Sequence, residues 1–71
     1  MNRQTYLTRA EAAVERAAAL AREAELAANS QDYRHKAAPF AAAGALWADI
    51  ARSHAAIAQA MPETDDTAPE A

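Results

Sequence analysis

Two histidines, a few carboxylates and one short basic run are the side chains in this sequence with chemistry to offer. His54 comes first, because it sits among Trp47, Ile50 and Ile57, and an imidazole is the side chain best suited to metal ligation and to proton transfer near neutral pH. A metal site needs several converging ligands. The chain has no cysteine, His35 is the only other histidine and lies before Pro39, and no carboxylate stands three or four residues after His54. The expected role of His54 is therefore that of a histidine at the edge of an apolar stripe with one nitrogen hydrogen-bonded. No metal and no cofactor is expected.

Glu11 and Glu15 share a helix face at i,i+4, as metal-binding carboxylates do in some helical bundles, but those sites also use a Glu-x-x-His spacing that is missing here. Glu11, Glu15, Glu23 and Glu25 then read as solvated surface charge, and Asp49 with Arg52 as a surface ion pair. Tyr33, Arg34, His35 and Lys36 form the one local basic cluster. Phosphate binding asks for more, because Glu63, Asp65, Asp66 and Glu70 account for four negative charges of a net −3 and leave a body near +1. Nucleic acid is thus not an expected partner. Without convergent polar residues in an apolar pocket, neither is catalysis, and the chain is expected not to be an enzyme.

The elements that carry these residues are helical. From about residue 5 to Ala28, apolar residues recur at Leu7, Ala10, Val14, Ala17, Ala21, Ala24 and Ala28, with Tyr6, Ala13, Leu20 and Ala27 widening the stripe. Thr8-Arg9-Ala10-Glu11 has the form of a capping box at the start of this helix, and Asn2 and Thr5 compete with Thr8 for the cap. Asn29-Ser30-Gln31-Asp32 is a short polar break that turns the chain back on itself. The second helix, about residues 31–61, carries Phe40, Ala43, Trp47, Ile50, His54, Ile57 and Met61 at alternating spacings of three and four, with Tyr33 in the same phase. Pro39 either kinks this helix in its second turn or, with residues 29–38 as a longer loop, begins it; the phase of Tyr33 and an Asp32–Lys36 pair favour the kinked form.

Pro62 ends the second helix, and residues 62–71 hold no large apolar side chain, so an acidic disordered tail is expected there. No stretch is apolar enough for a signal peptide or a membrane span, and the missing cysteines fit a reducing compartment, so the expected location is cytoplasmic.

Of the 71 residues, 52% are hydrophobic, yet about two-thirds of those are alanine, whose methyl group contributes little burial energy. A chain of this size buries only about 60% of its unfolded surface, which makes it marginal even with a good core. Neither a disulfide nor a structural zinc is there to help.

The resulting expectation is an all-α fold: an antiparallel helical hairpin over residues 1–61, dimerising into a four-helix bundle, with a disordered acidic tail. Its expected role is non-enzymatic protein–protein interaction or assembly. The expected contact face is anchored by Trp47 and includes Tyr6, Val14, Leu20, Phe40, Ile50, His54 and Ile57. The alternative is a small regulator or antitoxin-like protein that folds on a different protein partner.

Overall fold

The computed structural model describes residues 2–62, and within them the chain is helical, without a strand. The acidic tail expected to be disordered lies, from Glu63 onward, outside the described residues. Helix α1 spans Arg3–Ala28 and helix α2 spans Ala37–Ala60, with a 3₁₀ turn at Arg34–Lys36 between them.

The start of α1 differs from the capping-box expectation. Asn2 is the N-cap, in extended backbone, and its Oδ1 accepts from the Thr5 amide at 2.9 Å and from the Thr5 hydroxyl at 3.0 Å. Thr8 lies inside the helix, and its hydroxyl accepts from Gln4 Nε2 at 3.2 Å. An Asx side chain reaches the orphan N–H groups of the first turn as well as a threonine does, and starting six residues earlier adds more than a turn of backbone hydrogen bonds. At the other end the Asn29 amide donates to Glu25 and Leu26, both at 3.2 Å, and the Ser30 amide to Ala27 at 3.1 Å.

The connection is longer than the polar tetrapeptide. Ser30 Oγ accepts from the Tyr33 amide at 3.3 Å, the Lys36 amide donates to the Tyr33 carbonyl at 2.8 Å, and the 3₁₀ turn then runs into α2. Pro39 becomes the third residue of α2, where its missing N–H has no helical partner to lose. This geometry stands closer to the longer-loop alternative than to a kinked helix starting near residue 31. Tyr33 is exposed, and Lys36 lies with its ammonium 5.3 Å from the Tyr33 ring centre instead of pairing with Asp32. At the far end Met61 leaves the helix in extended backbone, as a residue before proline does.

The two helices pack along their length in opposite directions. Tyr6 meets His54, with ring centres 5.9 Å apart; Arg16 lies over Trp47; and Gly44 faces Ala17, Leu20 and Ala21. The seam follows a strict alternation of three and four in both helices. On α1 it runs through Tyr6, Ala10, Ala13, Ala17, Leu20, Ala24 and Ala27, and every one of these is buried or partly buried. On α2 it runs through Ala37, Phe40, Gly44, Trp47, Ala51, His54 and Ala58, again all buried or partly buried.

The expected stripes thus keep Ala10, Ala17, Ala24, Phe40, Trp47 and His54 and shift by one at the positions between, with Ala13 in place of Val14 and Gly44, Ala51 and Ala58 in place of Ala43, Ile50 and Ile57. Ala10, Ala13, Ala27, Ala51 and Ala58 are the buried apolar side chains, with Gly44 buried beside them. Leu7, Val14, Ile50 and Ile57 stand outside the seam. The physical reason is distance: a side chain of one carbon or none lets two backbones come close, and close-packed surfaces gain dispersion along their whole length.

Candidate interaction surface

The eight residues expected to form one contact face fall into two groups. Tyr6, Leu20, Phe40, Trp47 and His54 are partly buried between the helices of one chain. Val14, Ile50 and Ile57 are exposed, at 55%, 39% and 43% of their surface. The seam takes up most of the first group, so the second is the more open to another molecule. Leu46 and Leu26, which the stripe patterns left out, are the most exposed of the large apolar side chains, and Leu7 joins them. A signal for Leu46 was present, since it stands four residues before Ile50 and four after Ala42 on a helix whose polar residues are few.

No side chain larger than alanine is fully buried among the described residues. A buried methyl contributes less than about 1 kcal/mol, against about 1.5–3 kcal/mol for a buried valine, leucine or isoleucine. Six aliphatic side chains that could contribute more than a methyl, Leu7, Val14, Leu26, Leu46, Ile50 and Ile57, are therefore left exposed.

These exposed groups lie on two flanks of the seam. At about 100° per residue, positions one before Ala10 and Ala17 on α1 and one before Ala51 and Ala58 on α2 fall on the same side of an antiparallel pair. That flank carries Arg9, Arg16 and Glu23 from α1 and Ala43, Ile50 and Ile57 from α2. Leu46 extends it. The opposite flank carries Leu7 and Val14 beside Ala41, Ala48 and Ala55. Contacts agree with this division: Arg16 leans from the first flank to within 5.4 Å of the Trp47 ring centre, whereas Leu7 and Val14 line a separate groove with Glu11 and Glu15. Near the bend, the first flank opens into a cleft of about 430 Å³ between Glu23, Leu26, Tyr33, Lys36 and Phe40.

The polar groups do not converge. Asp49 and Arg52 form the expected exposed ion pair, and Arg34, His35 and Lys36 are all exposed on the 3₁₀ turn. Glu11, Glu15, Glu23 and Glu25 are exposed along α1. Among the described residues, no group of three or more His, Cys, Asp or Glu side chains is placed to hold a metal ion. His54 sits in the seam beside Tyr6 with its Nδ1 buried and without a hydrogen-bond partner.

Fold and surface together define a two-helix, all-α protein with Leu7, Val14, Leu26, Leu46, Ile50 and Ile57 exposed outside its seam. Comparison with known proteins finds no matching family model, no matching curated protein and no matching solved structure. Nor is any helix among the described residues long and apolar enough to cross a membrane.

Proposed function

We propose that this chain is a non-enzymatic protein–protein interaction or assembly module, and that its helix pair associates with a second copy to complete a four-helix bundle. One observation carries the reading. The buried set is alanine and glycine, while Leu7, Val14, Leu26, Leu46, Ile50 and Ile57 remain exposed on so small a molecule. Apolar side chains in that number, on two helix flanks, have a structural use once other helices cover them. Trp47 anchors the arrangement from the seam, partly buried and with the Arg16 guanidinium over its ring.

Sedimentation or light scattering with circular dichroism across a dilution series tests the proposal. Helicity and mass falling together on dilution is the expected result. A monomer that stays fully helical and melts cooperatively at the lowest concentrations would refute it. A poorly helical monomer that gains helix only on adding a different protein would place the chain among partner-folded regulators instead.

A further inference from the structure

Of the two exposed flanks, the one formed by α2 with Arg9, Arg16 and Glu23 is built to receive an identical flank in the opposite direction. We infer that a second copy of this chain docks there about a two-fold axis, α2 against α2 and α1 against α1, an inference that rests on the self-association proposed above. The axis passes near Arg16 and between Leu46 and Ile50.

Along α2 this flank is a second stripe of three-and-four spacing, through Ala43, Leu46, Ile50, Ser53, Ile57 and Ala60, with no charge in it. Laid antiparallel on itself about the Leu46–Ile50 midpoint, each Leu46 meets Ile50 of the second copy and each Ala43 meets Ser53. Large side chains then fall at the centre of the contact and small ones beside them. A stripe of this kind is complementary to itself, as an isologous interface requires.

Charge on α1 selects the direction. Arg9 and Glu23 stand seven residues to either side of Arg16, so the same rotation brings Arg9 of each copy opposite Glu23 of the other. Arg16 lies level with the axis, because its guanidinium rests over Trp47, and that contact draws its charge back onto its own chain. An axis parallel to the helices would instead set α1 against the second copy's α2, and would press Arg9 and Arg16 onto Ile57 and Ile50 without an acidic partner. Desolvating cations against aliphatic carbon is costly, which leaves the first arrangement.

Shape and area agree with this choice. The antiparallel rotation carries the second copy's Ile57 to the height of Pro39, beside the cleft bordered by Leu26, Tyr33 and Phe40. A face about 36 Å long and two helices wide buries about 1,300 Å² in total, within the range of about 1,200–2,000 Å² typical of stable interfaces.

The full chain, which has no cysteine of its own, supplies a clean test. Leu46→Cys and Ile50→Cys chains are mixed in equal amounts and oxidised, and the mixed disulfide is expected to exceed either homodisulfide by well over the about twofold ratio that random pairing gives. Arg9→Glu and Glu23→Arg, both at exposed sites, are each expected to raise the dimer dissociation constant about 5- to 10-fold, with the double reversal restoring it. A dimer indifferent to both reversals, or one that crosslinks instead through Val14→Cys with Ala48→Cys, overturns this face and leaves self-association standing. A strictly monomeric chain overturns both.

Discussion

Gly44 packs directly against α1, yet it is not under steric compulsion. A methyl built there meets Ala17 O and Leu20 Cβ at 3.5 Å each, which is ordinary van der Waals contact. Gly44→Ala is therefore expected to stabilise the chain by about 0.5–1 kcal/mol, the helix-propensity gain over glycine, visible as a higher urea midpoint. A larger residue such as leucine has no such room and lowers the midpoint by overpacking. His54 offers a second residue of this kind. Its Nδ1 is buried without a partner, and His54→Leu removes that unsatisfied group while keeping apolar contact with Tyr6. The expected gain is about 1 kcal/mol in the same measurement. Loss of stability on that change would show that the imidazole makes a bond of real value in solution. Trp47→Ala has the opposite sign, lowering stability by about 2–3 kcal/mol, less than for a wholly buried indole because Trp47 is only partly covered.

Helix ends and proline decide matters at the next scale. Asn2 is the one side chain that caps α1, so Asn2→Ala is expected to cost about 1 kcal/mol, whereas Thr8→Ala costs little, with fraying followed by hydrogen exchange at Thr5. Those two results would distinguish the observed start of α1 from the capping box that Thr8 and Glu11 suggest. Much of the architecture was legible in the residues themselves: two helices, a polar turn, an end of α2 before Pro62 and the Asp49–Arg52 pair. The partial shift of the seam was not. A reading weighted by side-chain size follows Val14, Ile50 and Ile57, whereas the packed helices follow Ala13, Ala51 and Ala58, which a hydrophobicity pattern scarcely separates from the alanines beside them. For the same reason the expected contact face joins Tyr6, Leu20, Phe40, Trp47 and His54, which lie partly buried in the seam, to the exposed Val14, Ile50 and Ile57, and leaves out Leu46. The onset of α2 was also obscure, because proline is acceptable both in a first turn and as a kink, and only the hydrogen bonds of residues 30–36 distinguish the two.

For the whole molecule, stability and association are one equilibrium if the exposed aliphatic groups are covered by a second chain. The melting temperature is then expected to rise with protein concentration, and Ile50→Asp to abolish that dependence by setting a charge in the centre of the contact. Calorimetry over a hundredfold concentration range checks both. A concentration-independent transition in the unmodified chain would mean that two helices joined through alanine contacts suffice by themselves.

Such a smooth seam has a further consequence. Methyl groups repeated every three or four residues look much alike after a shift of seven, so they do little to stop one helix sliding along the other. What resists sliding is the few places where something bulky meets something specific: the indole of Trp47 capped by Arg16, the shallow recess at Gly44 one turn away, and the Tyr6 ring against His54 near the open end. These act as pins through an otherwise featureless track, holding the longitudinal alignment of two helices that their alanines alone would leave free to choose.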